Sequence, residues 1–183
     1  MSEDAELMAR VQRGDEVALG ALMERWELPV KSVIGRLVLN AREAEDLAQE
    51  TFVRVWQQRE KFRAGAEFRP WVFSIAVNLA RNRLRWWRRR PSVSLQEWNE
   101  TPEAGNGRAE TGTTALETAE RAAAVRDAIA VLPAELREAI VLFAYERMPQ
   151  AEIAQAVGAT TKAVETRIAR AREKLRARLK PWL

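Results

Sequence analysis

The sequence contains no cysteine and no histidine. That double absence excludes disulfides, zinc fingers, cysteine redox chemistry and every catalytic triad or metal centre that needs a thiolate or an imidazole. Glycine is also scarce, 8 residues in 183, whereas Lys and Arg together number 30. Few glycines among many arginines favour helix over turn-dense β folds, so an all-α protein is expected. No run approaches the roughly 18 to 20 consecutive apolar residues of a membrane span. The opening MSEDAELMAR is acidic and lacks the apolar stretch of an export signal. These absences predict a cytoplasmic protein with no membrane insertion. With 47% hydrophobic and 31% charged residues, the chain has the length and composition for one medium domain or two small ones, each with a core.

The net charge of +4 hides a segregated distribution. Residues 1–60 sum to −4, residues 61–91 to +8, residues 92–120 to −5 and residues 121–183 to +5. Two basic blocks separated by an acidic stretch point to two surfaces for anionic ligands, and nucleic acid fits that better than a small acidic substrate. Solvated arginine-rich faces would give the same arithmetic.

Helical periodicity runs almost unbroken from Glu3 to Arg90. A short helix over Asp4–Gln12 ends at Gly14, and Asp15 is placed to cap a second helix reaching Leu39, which Pro29 is expected to kink or interrupt near Leu28. Asn40, with Glu43 three residues on, has the form of a capping box. The helix it opens puts Ala44, Leu47, Ala48, Thr51, Phe52 and Val55 on one face and leaves Glu43, Asp46, Glu50, Arg54 and Gln57 outside. FRAGAEF at 62–68 reads as a loop, and Pro70 fits the first turn of a long helix that Pro91 ends. Residues 92–114 have the Pro, Gly, Ser and Thr content of an acidic, flexible linker. Helices are then expected from Ala115 to Val131, from Pro133 to Glu146, over 150–157 and from Thr161 to Arg178.

Two segments carry recognisable chemistry. At 150–178 a short helix, Gly158 for a tight turn, a Thr160 or Thr161 cap and a second helix form a helix-turn-helix pattern. In the second helix Val164, Ile168, Ala171, Leu175 and Leu179 form the inward stripe, with Lys162, Glu165, Thr166 and Arg170 opposite and Arg167 on the flank. A recognition helix needs that division: side chains able to meet base edges near the N-terminus, then a basic remainder for phosphates. Along 70–90, Ser74, Asn78, Arg81, Arg85 and Arg88 fall on one face. Arginine beside aromatic rings suits single-stranded nucleic acid, and Phe62, Phe68, Trp71, Trp86 and Trp87 are the available rings, although Trp71 and Phe73 also read as core. The acidic face of Glu43, Asp46 and Glu50 has the wrong sign for DNA and suits solvent or a basic protein surface.

With these pieces in place, the chain resembles the bacterial RNA polymerase sigma factors of the sigma-70 family, in particular the extracytoplasmic-function (ECF) group. AEDLAQETFVRVW at 44–56 is similar to the segment that binds the clamp helices of the polymerase largest subunit. FRPWVFSIAVNLARNRLRWWRRR at 68–90 is similar to the segment that melts and reads the minus-ten promoter element, and KAVETRIARAREKLR at 162–176 has the form of the helix that reads the minus-thirty-five element. The resemblance implies two small helical domains, a domain 2-like bundle over 1–91 and a domain 4-like helix-turn-helix over 115–183, joined by the linker at 92–114. It assigns Asp46, Gln49 and Glu50 to core polymerase, with Phe52 and Val55 supporting their helix. It assigns Arg63, Ala64, Gly65, Ala66 and Glu67, with Asn78, Arg81 and Arg85, to the minus-ten strand. It assigns Thr161, Lys162, Glu165, Thr166, Arg167 and Arg170 to the minus-thirty-five duplex. Implied partners are core RNA polymerase, promoter DNA and an anti-sigma factor. No catalytic residue, cofactor or metal is implied. Asn82 stands where the family often has Asp, and Glu165 where a basic residue is common.

Two rival readings remain open on the residues alone. A helix-turn-helix regulator that acts without polymerase accounts for 121–183 but leaves 40–91 unexplained. A magnesium-dependent nucleic-acid enzyme would use Asp46 and Glu50, four apart on one helix face, but no further acid clusters with them, and a hard cation recruits more oxygen ligands than two.

Overall fold

The computed structural model describes residues 2–90 and 113–182, with side chains in the second block from 118 onward. Most of the segment read as a linker therefore lies outside the described residues, and its last two residues, 113 and 114, belong to a helix. Among the described residues the chain is all-α, with no strand. The helices are α1 (Glu3–Gln12), α2 (Glu16–Val38), α3 (Ala41–Gln57), α4 (Phe68–Arg88), α5 (Thr113–Ala130), α6 (Ala134–Ala144), α7 (Gln150–Val157) and α8 (Thr161–Leu179), with short 3-10 turns at Arg59–Lys61 and Lys180–Trp182.

Local chemistry sets most of the boundaries. Asp15 caps α2 by accepting from the Ala18 amide, and Asn40 caps α3 by accepting from the Glu43 amide at 2.9 Å. The Ala18 amide and the Arg10 guanidinium hold the Asp15 carboxyl below the usual range. Pro29 does not interrupt α2, contrary to the expectation from sequence. Proline removes its own N–H from the ladder and its ring crowds the carbonyl four residues back, but Leu22, Val30, Val33, Ile34, Leu37 and Val38 on both sides of it are buried in the core. Packing on either side outweighs the local penalty. α4 starts at Phe68, two residues before Pro70, so the proline sits in the first turn where its missing donor costs nothing.

α1 to α4 pack around one apolar centre. Phe52, Phe68 and Phe73 are fully buried, and the Trp26 ring meets Phe68 and Phe73 edge-on at 6.1 and 6.0 Å. The Trp26 indole N–H donates to Asp4, which ties α1 to α2. Each such ring contributes on the order of 2 to 3 kcal/mol through burial, and edge-on pairs add somewhat more. The Gln12 side-chain amide donates to the carbonyls of Arg59 and Phe62, at 3.0 and 2.7 Å, and so pins the backbone where α3 hands over to the loop before α4. α5 to α8 form a second helical group in which α8 lies across α5, α6 and α7. Its buried set includes Leu136, Ile140, Leu142, Ile153, Val157, Val164 and Ile168.

The two groups are in contact. α7 packs on α4 and α6 on α2, so the apolar cluster is continuous from Met8 to Ala171.

Candidate nucleic-acid interface

The acidic helix face is presented by α3. Asp46 and Gln49 are exposed, and Glu50 is half-buried and paired with Arg54 at 2.6 Å, an i, i+4 ion pair within the same helix. Phe52 and Val55 are buried beneath them, as the amphipathic spacing predicts. Glu43 departs from its expected place on the outer face. Its carboxylate is paired with Arg83 of α4 at 2.8 Å, so it links α3 to α4 inside the bundle. Among the described residues no group of three or more acids is arranged to hold a metal ion.

The loop before α4 and the outer face of α4 lie next to each other. Arg63, Ala64, Gly65 and Glu67 are exposed and Ala66 is half-buried. The turn closes with the Ala66 amide donating to the Arg63 carbonyl at 3.0 Å, and Gly65 adopts φ +77°, a left-handed conformation that favours glycine. Asn78 and Arg85 are exposed, and the Arg85 guanidinium donates to Asn82. Arg81, on the same face, is not free. It forms a two-point pair with Glu138 of α6, at 2.8 and 2.5 Å, donates to the Val157 carbonyl at 3.0 Å, and reaches Asn78 at 3.5 Å. Hydrogen bonding to Glu138 raises the Arg81 pKa further, which fixes its charge.

The aromatic rings near this face divide unequally. Phe62 and Phe68 are buried and meet each other and Trp71 in edge-on or tilted contacts, so neither ring offers a stacking surface to a base. Trp71 joins them at half burial. Trp87 packs against the core, whereas Trp86 is exposed and has the Arg90 guanidinium 5.0 Å above its ring. The sequence signal for these rings was composition near a basic run, which does not reveal that the 62–68 loop folds its phenylalanines inward.

The helix-turn-helix has the predicted local geometry. α7 ends at Gly158 with φ +67°, and α8 is capped by Thr160, whose hydroxyl accepts from the Ala163 amide at 3.1 Å. Val164, Ile168 and Ala171 are buried. Thr161, Lys162, Glu165, Thr166 and Arg170 are exposed, so five of the six expected duplex-reading residues face outward together at the start of α8. Lys162 pairs with Glu165 at 2.8 Å, and the Thr166 hydroxyl donates to the Lys162 carbonyl. Arg167 differs: its side chain is half-buried and paired with Glu135 of α6 at 3.0 Å.

Sequence reasoning missed the residues that join the two groups. Besides Arg81 with Glu138, Arg69 of α4 pairs with Glu152 of α7 at 2.7 Å, Arg137 of α6 donates to the Leu37 carbonyl at 2.9 Å, and the Arg36 guanidinium lies 3.9 Å above the Tyr145 ring. Burial pushes the Glu146 carboxyl up, against the opposing pull of Arg36 and Arg69. These partners are far apart in sequence, and no local pattern marks them.

Comparison with known proteins places both helical groups. The Sigma-70 region 2 family matches residues 22–90, and the Sigma-70, region 4 family matches residues 122–175. The chain is 34% identical to the RNA polymerase sigma-H factor of Pseudomonas aeruginosa, covering 99% of this chain and 96% of that protein. It is 32% identical to the ECF RNA polymerase sigma-E factor of Haemophilus influenzae, covering 98% and 97%. Among solved structures, CnrH in complex with the cytosolic domain of CnrY is similar over 98% of this chain and 99% of that one, with a TM-score of 0.73 and 28% identity. Two family regions in order, on helices that present an acidic face, a basic face and a capped helix-turn-helix, make the chain a member of the sigma-70 family of RNA polymerase sigma factors, in its ECF group, and so a transcription initiation factor that directs polymerase to promoters.

Proposed function

We propose that residues 1–91 bind core RNA polymerase and the minus-ten element, that residues 115–183 bind the minus-thirty-five element, and that 92–114 joins them. Asp46, Gln49 and Glu50 on α3 meet the clamp helices of the largest subunit. Arg63 to Glu67 with Asn78, Arg81 and Arg85 take the melted strand, through guanidinium contacts to phosphates and the largely exposed loop at 63–67. Thr161, Lys162, Glu165, Thr166 and Arg170 enter the major groove, and Arg167, held by Glu135, sits behind them as a phosphate contact at most. The factor works in the cytoplasm and has no catalytic activity of its own; the polymerase supplies the chemistry. An anti-sigma protein holds it in reserve, consistent with CnrH having been solved with the cytosolic domain of a partner.

The observation that carries this reading is the separation of sign: one exposed acidic face on α3, and basic or polar faces on α4 and α8, in a chain that matches both sigma regions in order. Reconstitution with core polymerase tests it. Changing Arg81 and Arg85 together to alanine is expected to abolish opening of duplex promoters while leaving core binding intact. Changing Asp46 and Gln49 to alanine is expected to weaken core binding first. Promoter opening at the original rate with both arginines removed would sink the minus-ten assignment.

A further inference from the structure

We infer that Arg147, in the turn between α6 and α7, is a phosphate contact that the chain keeps at a backbone position better suited to glycine. The inference rests on the proposed entry of α8 into the minus-thirty-five duplex. Arg147 has φ +52°, in the left-handed region where a side chain crowds the backbone. Glycine fills that region at Gly14, Gly65 and Gly158, and besides Arg147 only Leu39 among the described residues enters it with a side chain. α7 therefore lies between two left-handed residues, Gly158 directly after it and Arg147 three positions before its first residue. Only one of the two is a glycine.

Nothing inside the chain accounts for the arginine. Its neighbours are committed to the fold: Met148 is buried and its amide donates to the Leu142 carbonyl at 3.2 Å, the Tyr145 ring lies under Arg36, and Glu146 faces Arg36 and Arg69 across the seam between the two helical groups. Arg147 itself is exposed and makes no hydrogen bond, ion pair or ring contact among the described residues. A solvated guanidinium does not offset backbone strain, so the use of this one lies outside the chain.

In a docked helix-turn-helix the second helix lies in the major groove and the first crosses the sugar-phosphate backbone. α7 has eight residues, about 12 Å at ~1.5 Å per residue, which matches the roughly 12 Å width of the major groove. With the start of α8 at the base edges, the far end of α7 reaches the phosphate rim, and Arg147 stands just beyond that end. A second cation approaches the same end of α6: the Arg172 guanidinium of α8 lies 4.8 Å from the ring of Phe143, four residues before Arg147. Two nearby acids are turned elsewhere, Glu146 toward Arg36 and Arg69, and Glu152 into its pair with Arg69. An unengaged guanidinium fork at that edge can turn to meet two phosphate oxygens at once.

Holoenzyme reconstituted from the full chain and core polymerase tests this on duplex promoter fragments whose minus-thirty-five element is intact or scrambled. Arg147→Gly is expected to raise the denaturation midpoint of the chain, because it relieves the backbone. The same variant is expected to weaken duplex binding about three- to tenfold at about 0.1 M salt, by one factor on both fragments, and to lower the salt slope by about 1. Arg147→Lys keeps the charge and should keep the slope. A lower midpoint for Arg147→Gly would show that the arginine stabilises its own turn, and overturns the inference. So does an unchanged salt slope, a slope lost equally in Arg147→Lys, or a loss of core-polymerase binding without DNA. The double variant Lys162→Ala with Arg170→Ala separates this inference from the reading beneath it. If that pair weakens duplex binding and Arg147→Gly does not, the Arg147 contact alone fails; if neither does, α8 is not at the duplex.

Discussion

α4 and α8 are both long, arginine-rich and amphipathic, yet they hold their charge in different ways. On α4, Arg69, Arg81 and Arg83 are paired with Glu152, Glu138 and Glu43, carboxylates contributed by three other helices. On α8, Arg170, Lys174, Arg176 and Arg178 are exposed and make no ion pair among the described residues, and Arg172 lies over the Phe143 ring. The difference teaches that a basic face is not by itself an available one. The exposed cations of α8 can attract a polyanion as they stand; Arg69, Arg81 and Arg83 of α4 must first exchange partners.

The inner faces of both helices set the largest expected effect. Phe73→Ala removes a fully buried ring from α4 and the centre of the first helical group, and should cost about 3 to 5 kcal/mol in chemical denaturation. Loss of cooperativity in only part of the chain would show that the two groups unfold separately and that the seam contributes little. On the outer face of α8, Arg170→Ala should weaken duplex promoter binding by about 1 to 3 kcal/mol if the side chain reads a base. If it contacts a phosphate, it should weaken binding uniformly across sequences and lower the salt slope by about 1. Binding titrations against salt distinguish the two outcomes, and no change in either would remove Arg170 from the interface.

The smallest effect concerns pH at the seam. Burial raises the folded-state pKa of Glu146, and the facing charges are Arg36 and Arg69, which oppose the rise. A carboxyl with a raised folded pKa costs nothing below its unfolded pKa of about 4.3, and its ionisation becomes a growing cost as pH climbs through the folded value. Glu146→Gln should therefore match the unmodified chain at acid pH and gain stability over it as pH rises toward neutral. Parallel denaturation midpoints across that window would show that Glu146 is solvated in the folded chain.

The elements that sequence reveals are those decided within a few residues. Asp15, Asn40 and Thr160 cap the helices they precede because a side-chain oxygen and an amide three residues on need nothing else. The α3 and α8 stripes are legible because helical spacing alone sorts Phe52 and Val164 inward and Asp46 and Lys162 outward. What is not legible depends on distant packing. Pro29 reads as a break until the buried residues on both sides of it are known, and Phe62 and Phe68 read as stacking rings until the loop turns them under Trp71. Nothing near Arg81 distinguishes it from Arg85, yet one is locked by a carboxylate 57 residues away and the other is exposed. Exposure of individual site residues is therefore the part that sequence leaves open, even where the surface as a whole is correctly placed.

The paired hydrogen bonds from Gln12 to the Arg59 and Phe62 carbonyls bear on how the 63–67 loop would receive a ligand. An irregular loop usually loses conformational freedom on binding, at roughly 1 to 2 kcal/mol for each backbone residue fixed. Here the near end is clamped from α1 and the far end enters α4 directly, leaving five residues to arrange. Much of the ordering is complete before any strand arrives, so α1, which carries none of the proposed contacts, contributes to affinity by preorganisation.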